Sequence, residues 1–193
     1  MDFRERLFQY RSYTPIPFLI VMFIFADPTL KSLLIGLSIV LIGEFLRLWG
    51  VSIAGSETRT TGPVGGTFLI TTGPFSYLRN PLYLGNMLMY SGVGVMANAM
   101  FPWLVCLAFL YFLWQYSLIV RLEEKHLLLK FGDEYQRYCQ SVPRFFPTLN
   151  KYAPGANPQP ELDWRRGIVS EKRTLQAIGV LIILLVVRRG LRG

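Results

Sequence analysis

The sequence predicts an all-α fold, a polytopic membrane helical bundle of two helical hairpins followed by a fifth, short membrane helix. Only 17% of the residues are charged and 52% are hydrophobic, whereas soluble domains carry about 25% charged residues. The apolar residues lie in long blocks, which is typical of membrane helices, and not in the short alternations of a soluble core. The length of 193 residues suits one compact domain.

The first hairpin is predicted from two apolar runs near the N-terminus. Residues 30–54 form a run that is long enough to cross a hydrocarbon core of about 30 Å at a rise of about 1.5 Å per residue. The earlier run, residues 15–26, is short and is closed by the turn signal Asp27-Pro28. It crosses the membrane only if its helix begins upstream, near Ser12 or Tyr13.

The second hairpin is predicted over residues 84–120, after a stretch rich in Gly, Thr and Pro that is too polar to lie in lipid. The runs 84–97 and 101–120 are apolar, and the turn between them contains no Lys or Arg, which is typical of a loop on the outer side. After residue 120 an amphipathic stretch should leave the membrane and break at Gly132-Asp133. Because this hairpin begins and ends on one side, the polar residues that flank it should lie at neighbouring helix ends.

The net charge of +8 follows the pattern of a membrane protein. Half of the 20 Lys and Arg residues lie between 121 and 173, and short cytoplasmic segments collect basic residues in membrane proteins. A groove-binding protein would instead show a basic stripe on a soluble fold, so we expect no nucleic-acid partner. We expect the N-terminus and residues 121–150 on the cytoplasmic side, with Lys31 and Asn98 opposite, and the charge should attract anionic lipid heads.

The last apolar run, residues 177–187, gives conflicting signals. Its 11 residues are short against a core of about 30 Å, and a crossing would place Arg188 and Arg189 outside, against the positive-inside tendency. A run without a polar face is not stable in water or on a membrane surface. We therefore predict a fifth, short membrane helix that begins at Ser170 as its N-cap and packs against the bundle or a second subunit of a homo-oligomer.

Arg79 and Asn80 precede Pro81 at the start of the second hairpin. Pro is tolerated in the first turn of a helix because its missing N–H has no partner there. The free N–H groups and the dipole of that terminus favour an anionic group, and Arg79 adds a fork suited to a carboxylate or phosphate. The alternative is an Arg-Asn cap whose arginine reaches for the membrane surface.

Glu123 and Glu124 lie at the other end of the same hairpin. Two carboxylates at a membrane boundary carry a desolvation penalty unless a cation meets them. Adjacent residues point about 100° apart on a helix, so we expect at most one of them to face a given pocket. The alternative is an interfacial helix with Glu-Lys pairs to Lys125 and Lys130. Together with Arg79, the carboxylates could bind the two charged groups of an amino acid.

Four motifs occur in a fixed order between residues 73 and 147. They are Gly73-Pro74-Phe75-x-Tyr77-x-Arg79-Asn80-Pro81-x-Tyr83-x-Gly85, Glu123-Glu124, Phe131-Gly132-Asp133-Glu134-Tyr135-x-x-Tyr138, and Val142-Pro143-Arg144-x-x-Pro147. Their order and spacing resemble the isoprenylcysteine carboxyl methyltransferase and phospholipid methyltransferase superfamily over roughly residues 45–147. The resemblance implies a helical membrane enzyme that uses S-adenosylmethionine, with a cofactor pocket that is built from the C-terminal half of the chain. The distribution of Lys and Arg adds the expectation that this pocket faces the cytoplasm.

The resemblance also assigns residues to the site by matching position. It implies that the cofactor site contains Tyr77, Arg79, Asn80, Pro81, Tyr83, Glu123 and Glu124, with catalytic roles for Arg79 and Glu124, and it implies a lipid or isoprenoid acceptor. Asn80 stands where many carboxyl methyltransferases of the superfamily carry His, which is closer to the phospholipid type. Arg121 is out of register with the arginine that the isoprenylcysteine enzymes carry near the substrate carboxyl. Both departures concern the acceptor and not the cofactor.

The resemblance divides the chain into three parts. Residues 1–55 would form an N-terminal membrane hairpin, residues 56–147 a methyltransferase-like core, and residues 148–193 a C-terminal loop and apolar helix that the family domain lacks. Cys106 lies in an apolar helix and Cys139 in a polar segment, a pattern that indicates neither a disulfide framework nor a metal site.

Three smaller hypotheses concern the acceptor. A carboxylate or thiolate acceptor needs no general base, and the motifs contain no convincing His or Asp base, so a deprotonated acceptor is favoured. Glu44 and Arg47 lie one helical turn apart and should form a salt bridge, with orientation of the acceptor as the alternative. His126, the only histidine, could take a proton from an amine acceptor, although a solvated position is the simpler expectation.

Two rival functions stay open on the sequence. One is a nicotinamide-dependent membrane reductase of the sterol-reductase-like type, because such proteins resemble the superfamily in the C-terminal region. The other is a non-enzymatic lipid-binding membrane protein, which predicts no cofactor binding.

Overall fold

All regular structure in the described part of the chain is helical. The computed structural model describes residues 3–55, 69–153 and 159–191. These ranges contain α1 (Phe3–Tyr10), α2 (Pro15–Ile24), α3 (Leu30–Ala54), α4 (Pro81–Ala97), α5 (Trp103–Ser141) and α6 (Trp164–Gly190), with a short 3₁₀ turn at Gly73–Ser76. The predicted all-α class is thereby confirmed.

Two of these helices, α3 and α5, are long and apolar enough to cross a membrane. The helix α2 is too short for this, since it has 10 residues and begins at Pro15, so the condition for a crossing, a start near Ser12 or Tyr13, is not met. A proline ring clashes with the carbonyl four residues before it, which prevents one helix from continuing through this position. The preceding residues instead form the separate helix α1.

The last helix begins earlier and is longer than predicted. It starts at Trp164 and not at Ser170, and it has 27 residues. The N-cap is Asp163, whose carboxylate accepts a hydrogen bond from the backbone N–H of Arg166 at 3.0 Å, as capping requires. At about 1.5 Å per residue α6 is therefore about 40 Å long, which corrects the prediction of a short helix.

The helices α3 and α4 make the closest packing in the bundle because glycines face each other. A Cβ atom on Gly43 would lie 2.7 Å from the carbonyl oxygen of Gly85, and one on Gly92 would lie 2.7 Å from that of Gly36. Small residues allow such backbone contact between membrane helices. The predicted first hairpin is thus only partly realised, because α2 and α3 both pack on α4.

The bundle has two distinct ends. The far end contains the turn between α4 and α5, and the site end is where α3 ends and α4 begins. At the far end, the backbone N–H of Asp27 donates to the carbonyl of Ala97 at 2.9 Å, and Arg188 donates to the carbonyls of Ile24 and Ala26 at 2.9 and 2.8 Å. At the site end, the backbone N–H of Asp163 donates to the carbonyl of Ser52 at 2.9 Å. The helix α6 therefore runs along the length of α3 in the opposite direction.

The chain after α5 folds back over the site end. Gly132 interrupts the helix with φ 51° and ψ −126°, which confirms the predicted break. The returning segment then pairs with residues 75–79 through Arg79 N–H to Pro143 O at 2.9 Å and Thr148 N–H to Tyr77 O at 2.9 Å. These contacts hold the segment 142–148 beside the N-terminus of α4.

Candidate functional site

A cavity of about 650 Å³ opens at the site end, a volume within the usual range of small-molecule sites, about 300–1,000 Å³. Its walls come from α1, α3, α4, α5, α6 and the segment before α4. Its polar lining residues include Arg11, Arg47, Arg79, Asn80, Tyr83, Asn86, Tyr90, Tyr116, Glu123, Glu124, Tyr135, Tyr138, Glu171 and Arg173.

Arg79 and Glu124 line the same wall of this cavity and form an ion pair there. The Arg79 Nη1 atom lies 3.0 Å from Glu124 Oε1, and it also donates to the sulfur of Cys139 at 2.8 Å. The Nε atom of Arg79 is buried and has no hydrogen-bond partner among the described residues. The two ends of the second hairpin therefore lie together as predicted, and the Arg79 side chain contributes to the cavity wall.

Arg144 makes a second ion pair with Glu124. Its Nε donates to Glu124 Oε1 at 3.0 Å and its Nη2 to Glu124 Oε2. This hydrogen bond raises the pKa of Arg144 above its ordinary value, because it favours the charged guanidinium. Arg144 belongs to one of the four motifs, but its role at the site was not predicted from the sequence.

Glu123 faces a different part of the cavity. Its Oε1 accepts a hydrogen bond from the hydroxyl of Tyr83 at 2.8 Å, and the ring of Tyr83 stacks on that of Tyr116 with centroids 4.6 Å apart. Both Glu123 and Glu124 line the cavity, so the expectation that only one would do so is wrong. The angle between adjacent residues of a helix directs them at different walls, and this cavity is wide enough to include both.

The remaining predicted residues differ in their positions. Pro81 is the first residue of α4 and lines the cavity together with Asn80. The Asn80 amide donates to the carbonyl of Arg144 at 3.0 Å and makes no cap to its own helix. Tyr77 does not line the cavity, and its ring packs near that of Trp49 with centroids 6.4 Å apart. Its predicted place in the cofactor site is therefore not matched by the geometry.

On the side of the cavity formed by α3 and α6, Arg47 and Glu171 form a buried ion pair that was not predicted from the sequence. Arg47 Nη2 lies 2.7 and 2.8 Å from the two carboxylate oxygens of Glu171, and Arg47 Nη1 donates to the side chain of Asn86. Glu171 is fully buried. The predicted salt bridge of Glu44 and Arg47 is present at 4.0 Å, while Glu171 makes the closer contact with the guanidinium.

One sequence signal could have revealed Glu171. It shares the buried face of α6 with Gly167 and Leu185, at spacings of four and fourteen residues that place the three on one side of a helix. A carboxylate on the inward face of a helix requires a buried cation. His126, in contrast, is exposed and does not line the cavity.

No group of three or more His, Cys, Asp or Glu residues that could hold a metal ion occurs in the described ranges.

Comparison with known proteins places these features in a family. The family model of the phospholipid methyltransferases matches residues 32–134, just over half of the chain. The cobalt-zinc-cadmium resistance protein CzcN of Cupriavidus metallidurans is 32% identical over 128 residues, which cover 65% of this chain and 53% of that protein. The nickel-cobalt-cadmium resistance protein NccN of Alcaligenes xylosoxydans is 32% identical over 120 residues, 62% of this chain and 50% of that protein.

A third relative is named for its reaction. The protein-S-isoprenylcysteine O-methyltransferase of Saccharomyces cerevisiae is 30% identical over 112 residues, 56% of this chain and 46% of that protein. The chain thus spans about half the length of the curated relatives it matches. No solved structure matches. The match over the two membrane-length helices and the segment between them shows that the chain belongs to the phospholipid methyltransferase family.

Proposed function

We propose that this chain is an integral, multi-pass membrane methyltransferase that moves a methyl group from S-adenosylmethionine to a lipid, isoprenoid or other membrane-borne acceptor. The main support for the proposal is the ion pair of Arg79 and Glu124, whose charged atoms lie 3.0 Å apart. It lies on the wall of a large cavity in a member of the phospholipid methyltransferase family. Opposite charges at that distance suit the carboxylate and the ammonium of the methionine part of the cofactor.

The charges on this wall fit a zwitterionic group. Arg79 places a guanidinium in the cavity wall beside the N-terminus of α4, an arrangement that suits a carboxylate. Glu123 and Glu124 supply acceptors for an ammonium group. Arg144 balances part of this negative charge, which favours a ligand of no net charge at this end of the methyl donor.

The neighbouring wall fits a flat, less polar group. Phe75, Leu127, Tyr135 and Tyr138 line the cavity next to the ion pair. Tyr138 is fixed by a hydrogen bond from its hydroxyl to the carbonyl of Phe75 at 2.7 Å. Rigid aromatic and aliphatic surfaces of this kind suit the adenine ring of the cofactor.

When bound, S-adenosylmethionine supplies an electrophilic methyl group on a positively charged sulfur atom. The residues of this chain would orient the donor through Arg79 and Glu124 and would exclude water through the stacked rings of Tyr83 and Tyr116. No cavity-lining residue is an evident general base besides the carboxylates that are held in ion pairs or hydrogen bonds in the described part of the chain. We therefore favour an acceptor that enters without a proton at the reacting atom, such as a carboxylate or a thiolate.

The distribution of charges supports one orientation in the membrane. The site end carries most of the basic residues of the C-terminal half, so the positive-inside tendency supports a cofactor site that faces the cytoplasm. A soluble donor and a lipid-phase acceptor would then meet at the membrane boundary.

Calorimetry tests the cofactor. The variants Arg79→Ala and Glu124→Gln should each weaken S-adenosylmethionine binding by at least about 1.5 kcal/mol, the scale of a hydrogen bond to a charged group. The control Arg137→Ala removes an exposed arginine of α5 that does not line the cavity and should leave binding unchanged. Unchanged affinity in both site variants, with the fold intact, would refute the proposed role of this cavity in cofactor binding.

The same titration separates the rivals. Binding of reduced nicotinamide cofactor in place of S-adenosylmethionine would favour the reductase, and binding of neither would favour a lipid-binding protein. Transfer of a radiolabelled methyl group from the donor into lipid extracts of the membranes then tests the reaction itself.

A further inference from the structure

Two arginines at the rim of the cavity are not used by the proposed cofactor site. Arg11 follows α1, and Arg173 lies in α6; both line the cavity. Both residues lie outside the matched family segment of residues 32–134. The two arginines therefore belong to parts of this chain to which neither the motifs nor the family assigns a role.

Neither arginine has a carboxylate within ion-pair distance in the described residues, although Arg11 lies near enough to Glu123 for their charges to interact. The deeper cavity arginines each have one, since Arg47 pairs with Glu171 and Arg79 pairs with Glu124. Within the described residues, Arg173 has no hydrogen bond or ion pair. Arg11 there has no ion pair, and its guanidinium donates to the carbonyl of Phe8 at 2.6 Å and stacks on the Phe8 ring at 3.9 Å. The rim thus carries two positive charges that can meet an anion.

Both arginines also lie where the chain changes from charged to apolar. Arg173 is the last charged residue of α6 before the uncharged run 174–187, and Arg11 is the last before the uncharged run 12–26. Several side chains of these runs are exposed on the bundle surface, including Ile16, Ile20, Ile183 and Val187. A guanidinium at such a boundary lies at the depth of lipid head groups, with apolar surface beside it for acyl chains.

We propose that Arg173 and Arg11 form a binding site for the anionic head group, phosphate or carboxylate, of the membrane-borne acceptor. The site rests on the proposed function, because it places the acceptor in the same cavity as the methyl donor. Arg173 forms bidentate hydrogen bonds to the anionic group, while Arg11 contributes a second positive charge. The acyl or prenyl chain lies along the exposed apolar faces of α2 and α6.

Lipid retention measured by native mass spectrometry tests this site. Protein in neutral detergent is titrated with dioleoylphosphatidylglycerol and, separately, with dioleoylphosphatidylcholine, which has the same chains and no net charge. Arg173→Gln should weaken phosphatidylglycerol binding about tenfold, which is about 1.4 kcal/mol, while Arg173→Lys should keep most of it. The matched control is Lys172→Gln, which removes the same charge from an exposed neighbour that does not line the cavity.

Several results would overturn the site. Equal binding of the two lipids to the wild type, or an equal loss in the Lys172→Gln and Arg173→Gln variants, would show a nonspecific effect of surface charge. Competition by millimolar inorganic phosphate as strong as that by the lipid would show a site for free anions and not for a membrane acceptor. The proposal is supported if Arg173→Gln weakens the binding of phosphatidylglycerol and leaves the binding of phosphatidylcholine unchanged.

The cofactor titration keeps the two proposals distinguishable. Arg173→Gln should leave S-adenosylmethionine binding unchanged, because the residue is not part of the Arg79 and Glu124 wall. If the lipid dependence fails while the cofactor still binds, the anion site is wrong and the methyltransferase proposal stands. Loss of cofactor binding from the wild type itself would refute the proposed function.

Discussion

The Arg47–Glu171 ion pair allows a sharp test of how α6 is held to the rest of the bundle. The substitution Glu171→Gln keeps the volume of the side chain and removes its charge. Glu171 is 0% exposed and the Arg47 side chain is 14% exposed, so the variant leaves a mostly buried guanidinium without its main counter-ion. Glu44, whose carboxylate is 4.0 Å away, offers only a distant substitute.

The size of the effect follows from burial. Breaking a fully buried pair by removing one partner costs about 3–5 kcal/mol, and a hydrogen bond to a charged group contributes about 1.5–3 kcal/mol. Because Arg47 retains its contact with Asn86 and some access to the cavity, we expect a loss of about 2–3 kcal/mol in the free energy of unfolding. The double variant Arg47→Gln/Glu171→Gln should lose clearly less than the sum of the two single variants.

Reversible unfolding in mixed micelles, followed by tryptophan fluorescence, measures these differences. Lys172→Gln serves as the control, since Lys172 is exposed on the same turn of α6 and surface changes usually stay within about 0.5 kcal/mol. If Glu171→Gln matches the wild type, or if the two single effects simply add, the ion pair does not hold α6 against α3.

Two further perturbations test the packing and the topology. Gly92→Ala should destabilise the bundle by about 1–3 kcal/mol, because its Cβ would lie 2.7 Å from a backbone oxygen of α3. The control Gly179→Ala, at a position where nothing lies within 4 Å of the added Cβ, should be neutral or stabilising in the same unfolding assay. Single cysteines at Lys31 and Asn98, in a background without the native cysteines, should react only with reagent on the non-cytoplasmic side, and a protease site after Gly193 should be cut from that side as well. Labelling or cleavage from the cytoplasmic face alone would reverse the proposed orientation or show that α6 does not cross.

The sequence was sufficient for those features that depend on local pattern. Apolar runs located the helices, and Gly132 marked the break in α5. The rule that a hairpin returns to its starting side placed Arg79 beside Glu124. Each of these inferences uses neighbours within one helix or one connection, where spacing along the chain determines position in space.

The features that sequence reasoning missed depend on contacts between distant segments. Glu171 and Arg47 are 124 residues apart, and only the antiparallel packing of α6 on α3 brings them together. The start of α6 was also missed, because Asp163 and Ser170 are both good N-caps and the charged residues between them look like a loop. The close contact of Gly167 with Ser52, where a Cβ would lie 2.0 Å from the serine oxygen, favours the longer helix.

Contacts between distant segments also bring motifs that are far apart in sequence into one site. The Asn80 amide donates to the carbonyl of Arg144, and the backbone N–H of Arg79 donates to the carbonyl of Pro143. These two bonds fix the returning segment against the start of α4, which directs the Arg144 side chain at Glu124. Glu124 therefore lies between Arg79 and Arg144 and forms an ion pair with each of them. On this argument Asn80 acts by positioning the second arginine, and its effect on the cofactor site would operate through Arg144 and Glu124.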